Sequence, residues 1–396
     1  MVNLETIREI ANRLAPEIVA LRRTFHQYPE LSWKERKTSE RIREALLADG
    51  LEMEREVCPP GLVAEIRGTD GGKTVAVRAD MDALPMHDAK EVPYASKVPG
   101  VMHACGHDCH MAIAIGVAKT LRRLEATWPG KVRFIFQPSE ETTPSGAEEM
   151  VKAGVMEGVD EIFAFHVAPE IPAGKVGVRE GVLTAYCTEF NLSVFGRSGH
   201  AARPHQSVDT VFLSSRVLSA LYEIVPSRTE PFIPAVLSVG KVVGGTKANV
   251  IPERVDIAGS VRTIDEFTRN EILSAMEDRV AAITRMYGGS YQLEFPPPIP
   301  SVVNDPTLSR AVRRLAVELL SESGVHEIEK VSMGGEDFSW YLTKAPGMLI
   351  RLGARTEGQA VRYLHTHDFD VDERALPVGV ALMAAIVLTR LLESTT

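Results

Sequence analysis

The patterning of this chain changes near residue 185 and changes back near residue 297. Before 185, short apolar runs recur: "LVAEIRG" (62–68), "TVAVRAD" (74–80), "KVRFIFQ" (131–137) and "EIFAFHV" (161–167). They alternate with helical stretches at 110–124 and 145–154, after two opening helices at 3–24 and 37–50. Strand–helix–strand alternation predicts an α/β layer with a central, mostly parallel sheet and flanking helices. From 189 the strands instead alternate apolar and polar, as in "EFNLSVFG" (189–196) and "VDIAGSVRT" (255–263), the habit of half-exposed antiparallel strands. With helices at 207–225 and 264–288 and strands at 235–243 and 290–295, the order is strand, helix, strand, strand, helix, strand. That is the split βαβ plan of a ferredoxin-like α+β domain. "PPPIP" (296–300) closes it, and the first style resumes with a helix at 306–321, a strand at 347–353 and a last helix from about 373. The expectation is one domain inserted into another: residues 185–297 within a domain made of 1–184 and 298–396.

Composition narrows the partners. Across 396 residues the formal net charge is −9, which lacks the basic footprint of a nucleic-acid binder. No run of 18 or more apolar residues is present, so no membrane span is expected. The opening "MVNLETIREIANRLAPEIVALRR" is acidic and amphipathic rather than a secretory signal, and a cytoplasmic location is the expectation. The four cysteines, Cys58, Cys105, Cys109 and Cys187, are too sparse for a disulfide scaffold.

Chemistry concentrates in "HACGHDCH" (103–110). A closed structural zinc knot is disfavoured: Cys105 and Cys109 are four apart and no second cysteine pair follows. Four more polar clusters accompany it: "RADMDALP" (78–85), "QPSEET" (137–142), "FHVAPE" (165–170) and "LHTHDFD" (364–370). Alone, an Asp-x-Asp after a strand is a turn, a Glu-Glu pair a solvated face and a single His a core residue. Together, at the strand ends where open α/β sheets place ligands, they offer the N, O and S donors of a transition-metal site.

"FHQYPELSWKE" (25–35), "RADMDALP", "MHACGHDCHMA", "FQPSEE", "GHAARPH" (199–205), "ANVIPE" (248–253) and "GGEDFSWY" (334–341) occur in order over nearly the whole chain. In these motifs the chain resembles the metal-dependent aminoacylase/carboxypeptidase amidohydrolases. This group includes hippurate hydrolase, N-acyl-amino-acid amidohydrolases and the hydrolases of indoleacetyl-amino-acid conjugates. The resemblance implies a di-metal exopeptidase-like catalytic domain and an inserted dimerisation or lid domain. It implies two divalent metal ions, with zinc favoured and manganese or cobalt as alternatives, held by Cys105, His107, Glu141, His166 and His365. His365 is preferred to His367 for its place after Leu364. Glu140 matches the general acid/base and Asp82 the aspartate that orients a ligand histidine, while Asp80 stands where distant relatives carry a metal histidine. His200 matches an oxyanion-stabilising residue that serves a partner subunit, and Asn249 and Arg262 match residues that hold the substrate carboxylate. A metal pair of this kind activates water and polarises an amide carbonyl.

The implied activity is cleavage of N-acyl amino acids by a homodimer or higher homo-oligomer built through the inserted domain. The alternative is a dipeptidase or carboxypeptidase acting on unblocked or aromatic-capped peptides with the same site. A cysteine nucleophile at Cys105, paired with His103 or His107, leaves Glu140, Glu141, His166 and His365 unexplained. A binding protein without catalysis is disfavoured because every matched position holds a competent group.

Overall fold

The computed structural model describes residues 3–124 and 127–393. The chain divides into two compact units: Met1–Gly181, Val303–Glu329 and Asp337–Thr396 form the first, Val182–Val302 and Lys330–Glu336 the second. Segment 330–336, which the sequence patterning leaves in the outer domain, joins the second unit. There Ser332 donates its backbone N–H to Leu183 O at 3.0 Å, and Met333 O accepts from Arg262 Nη1 at 2.8 Å.

The first unit is built on an eight-stranded sheet. Its order is Glu52–Glu56, Leu62–Arg67, Pro129–Gln137, Thr69–Asp80, Glu161–Pro172, Gly347–Arg355, Val176–Val178 and Val325–Glu327. The four strands from Pro129–Gln137 to Gly347–Arg355 are parallel to one another. On the flanks Leu62–Arg67, Glu52–Glu56 and Val176–Val178 each pair antiparallel with the strand beside them. The sheet is therefore mixed: the parallel order that the alternation predicts holds at its centre and for Val176–Val178 with Val325–Glu327, and the antiparallel pairs lie on its flanks. The connections explain this: residues 57–61 and 173–175 are too short for the crossover that a parallel partner requires. The central strands are apolar on both faces because helices cover them.

Three helices, Leu4–Gln27, His107–Arg123 and Ala375–Leu392, pack on one another and on these strands. The last is long and apolar enough to cross a membrane by composition. Here Leu382, Ile386 and Val387 are buried in the core, each apolar side chain contributing about 1.5–3 kcal/mol. Arg390, which interrupts its apolar run, is met by Glu161 at 2.7 Å.

In the second unit four antiparallel strands lie in the order Ala235–Gly244, Arg254–Thr263, Tyr186–Phe195, Ser290–Glu294. Alternation does what the sequence implies: Phe190, Leu192 and Val194 are buried while Glu189 and Asn191 are exposed. Val217 from helix Thr210–Tyr222, and Ile272 and Met276 from helix Glu266–Met286, close that core. The edge strand carries a bulge between Val239 and Lys241, where Gly240 goes unpaired.

Candidate metal centre

The centre is assembled from strand ends and one helix start of the first unit. Gly106 makes the entry to helix His107–Arg123 possible. Its φ is +84°, and a Cβ would sit 2.3 Å from Val167 Cγ2, so only glycine fits between Cys105 and His107. The helix thus begins at His107 with the Cys105 thiol and the His107 ring both buried.

Donor atoms of Cys105, His107 and His166 lie within 4.8 Å of one another, and so do those of Cys105, Glu141 and His365. Cys105 is common to both trios. A third group joins His107 to Glu140 and Glu141. His367 goes elsewhere: its Nδ1 faces the His87 carbonyl at 2.9 Å. His365 has φ +59° and is held there by its amide, which donates to Ala104 O at 2.8 Å.

His107 and His166 are each fixed by the other ring nitrogen. His107 Nδ1 lies 2.9 Å from the Asp82 carbonyl and 3.2 Å from Asp82 Oδ1, so Nδ1 is the donor. Its Nε2 is buried without a hydrogen-bond partner. His166 Nδ1 donates to Val167 O at 2.8 Å, leaving Nε2 facing Cys105 Sγ at 3.5 Å. His365 Nε2 stands 3.2 Å from Glu141 Oε1.

The electrostatics favour a cation. Burial opposes charge on His107, but Asp80, Asp82 and Cys105 outweigh it and hold its pKa well above the imidazole range. Burial, then Arg351 and His110, keeps His166 well below that range, hence neutral. Burial and then Glu141 push the Cys105 thiol up. An imidazole nitrogen without a hydrogen bond, a neutral imidazole, a thiol and a carboxylate, grouped in trios that share Cys105, are a donor set that fits divalent transition metals. Metal binding would displace the protons that this field retains.

Sequence reasoning missed what braces the centre. Val167 donates its N–H to His110 Nε2 at 3.0 Å, so His110 carries its proton on Nδ1 and gives it to Asp80 Oδ1 at 2.6 Å. Both nitrogens of His110 are thereby used, and it braces the backbone next to His166. Asp80 Oδ2 accepts from Arg78 Nη1 at 2.6 Å, and Arg78 Nη2 reaches Asp337 Oδ1 at 2.8 Å. Burial raises the Asp80 pKa, but Arg78 and the two histidines outweigh it and hold the carboxylate well below its usual range. Asp80 is thus a buried structural anion, its oxygens taken by Arg78 and His110. Asp108, adjacent to His107, accepts from Arg22 Nε at 2.7 Å and faces His26 Nδ1 at 2.8 Å. The abundance of polar residues in the motifs was the only available signal; the pairings span up to 259 positions.

The remaining predicted residues lie in the second unit. His200 is exposed, pairs with Val250 in a two-stranded ladder, and accepts from Ala202 N at Nδ1, 3.1 Å away. Asn249 is exposed beside it, its carbonyl accepting from Ala201 N at 3.1 Å. Arg262 is half-buried, bonded to Met333 O.

Comparison with known proteins places this arrangement. The chain is 39% identical to thermostable carboxypeptidase 2 of Saccharolobus solfataricus, covering 97% of this chain and 98% of the relative. It is 41% identical to an N-acyl-L-amino acid amidohydrolase of Geobacillus stearothermophilus, covering 74% of this chain and 79% of the relative. The crystal structure of a Bacillus subtilis protein named as a dinuclear metal binding peptidase superposes with a TM-score of 0.83. It is 34% identical, covering 97% of this chain and 99% of that one. Residues 76–389 match peptidase family M20/M25/M40. The chain belongs to that family and is a hydrolase of amide bonds.

Proposed function

We propose that the protein is a metal-dependent amidohydrolase that cleaves N-acyl amino acids. The observation that carries this is the pair of donor trios sharing Cys105, with Glu140 beside Glu141 and His107. Cys105, His107, Glu141, His166 and His365 hold two divalent ions, zinc before manganese or cobalt, and the ions supply Lewis acidity toward an amide carbonyl and a water. Glu140 takes the water's proton and returns one to the leaving amine. Asp82 orients His107 through Nδ1. Arg262 and Asn249 hold the substrate carboxylate, and His200 donates to the developing oxyanion in the centre of a second copy.

The second unit serves as the dimerisation and lid domain. Exposed apolar residues on helix Thr210–Tyr222 (Val211, Phe212) and on the edge strand (Val242, Val243) support a homodimer formed there. None of the four cysteines is in a disulfide, which fits the cytoplasm.

The name of the carboxypeptidase relative favours one competing reading, hydrolysis of peptides. A panel of N-acetyl and N-benzoyl amino acids against free dipeptides, with metal restored to stripped enzyme, separates them. Turnover of dipeptides alone overturns the N-acyl assignment.

A further inference from the structure

The turn 29–35, "PELSWKE", contributes no donor to the centre, yet it reaches the strand exit that carries Asp82 and the loop that carries Glu140 and Glu141. Its backbone is tied to the strand exit: Ala83 donates its N–H to Glu30 O at 2.9 Å, and Leu31 bridges Ala83. Ser32 Oγ donates to Asp82 Oδ2 at 2.7 Å, the same oxygen that accepts the Glu141 amide at 3.0 Å. Trp33 Nε1 donates to Pro144 O at 3.0 Å. Glu35 Oε1 accepts the Ser139 amide at 2.8 Å. The turn therefore grips the loop 138–145 at its start, at its far end and through Asp82.

Ser139 is where this grip matters. Its φ is +50°, the left-handed region, which is strained for a non-glycine residue. It is fully buried, its carbonyl accepts the Gly146 amide at 2.8 Å, and its hydroxyl faces Thr142 Oγ1 at 2.9 Å. A Cβ at Gly146 would lie 1.7 Å from Pro138 O, so the loop's two ends meet in backbone contact. Glu140 and Glu141 leave the chain directly after this strained residue. Among the described residues five non-glycines have positive φ, and three of them are Trp33, Ser139 and His365. Strain is thus concentrated at this turn, this loop and this ligand. Glu35 itself is fully buried, and its Oε2 has no hydrogen-bond partner. Nothing about a solvent-facing helix cap calls for such a group; Glu35 is the N-cap position of helix Arg36–Leu47 but makes no side-chain cap bond.

We infer that Glu35 is a positioning residue for the Glu140–Glu141 pair: it holds Ser139 in its left-handed conformation and so sets where the two carboxylates point. The inference rests on reading Glu140 as acid/base and Glu141 as ligand. Without Glu35, the buried Ser139 amide loses its acceptor, and the cheapest relief is for the loop to leave its strained form.

The test compares Glu35→Leu, which removes the acceptor at similar volume, with Glu35→Gln, which keeps a carbonyl oxygen at the same reach. Two quantities are measured: zinc affinity by competition with a chromophoric chelator, and kcat and KM on an N-acetyl amino acid. Glu35→Leu should lower zinc affinity and kcat about 10–100-fold, with KM little changed, while Glu35→Gln stays near wild type. A residue that only stabilises the fold would shift the melting temperature and leave the zinc affinity of the folded protein unchanged; that outcome overturns the proposal. So does a Glu35→Gln variant as impaired as Glu35→Leu. Should Glu35→Leu fail to fold, Trp33→Phe tests the same clasp, removing one donor to Pro144 O from a half-buried ring; a zinc affinity equal to wild type in that variant overturns it. The zinc measurement needs no turnover. If wild type ignores N-acyl amino acids while Glu35→Leu still weakens zinc binding, the substrate assignment fails and the positioning role stands.

Discussion

His110 and Asp80 are joined at 2.6 Å, and the direction of that bond is fixed by a third group: Val167 N–H occupies the other ring nitrogen. His110 therefore bridges a buried anion and the backbone that carries His166. His110→Phe keeps the ring and removes both bonds. It should weaken one of the two metal equivalents by about 10–100-fold and leave the other less affected, as expected for groups that orient a ligand. Equilibrium dialysis with elemental analysis measures this. Equal loss of both metals, or of neither, would contradict the role.

Glu140→Gln separates binding from chemistry. On the proposed assignment its neighbour Glu141 is the ligand, so metal content should be retained while kcat falls by about 10²–10⁴-fold, the usual worth of a positioned acid/base. Cys105→Ala should do the opposite first, losing metal, because Cys105 is common to both donor trios. A chelator should abolish turnover and restored metal should recover it, which a cysteine nucleophile would not require.

The Arg78–Asp337 pair has no exposure to solvent on either side chain, with 2.8 Å between them. Asp337 Oδ2 also accepts from Gln137 and Ser145, each at 2.7 Å. Asp337→Ala removes one of the two buried carboxylates that Arg78 meets and strands the Gln137 and Ser145 donors, and should destabilise the protein by about 3–5 kcal/mol. Urea unfolding followed by circular dichroism reads this directly, and a loss below 1 kcal/mol, the range typical of surface pairs, would show the web to be dispensable.

Glu35 gives a pH dependence with a definite sign. Burial first, and then the nearby Asp82 carboxylate, push its pKa from 4.5 up to about 7. The folded protein thus holds a proton that the unfolded chain releases. The stabilisation is complete below the unfolded value and is lost as pH rises through about 7. Glu35→Gln does not titrate. In metal-stripped protein, wild type should lose roughly 2–3 kcal/mol relative to Glu35→Gln between pH 5 and pH 8. A stability difference that stays flat over that interval would mean Glu35 is ionised in its buried site.

How much of this was legible in the sequence depends on the range of the interaction. The central strands and the helices around them follow from short-range periodicity, and Phe190, Leu192 and Val194 alternate inward as their spacing implies. Edge strands such as Glu52–Glu56 and Val325–Glu327 carry no such signal: "EMERE" and "VHE" read as loop, and neighbouring strands recruit them. At the centre, residue types named the chemistry, but geometry supplied the rest. Nothing in "RAD" reveals that Asp80 is spoken for by Arg78 and His110, or that Arg78 meets a carboxylate 259 positions away. The left-handed conformations at Ser139 and His365 are equally silent, because neither residue is a glycine.

His365 meets its neighbours by a long-range route: its amide is tied to Ala104, far earlier in the sequence. Synthesis on the ribosome is directional, so the thiol of Cys105 is made long before the histidine that completes its second trio. A prematurely terminated chain lacking His365 would display Cys105, His107 and His166 but not the full donor set. The second donor trio is therefore completed only when residue 365 has been made, after every other residue of the set.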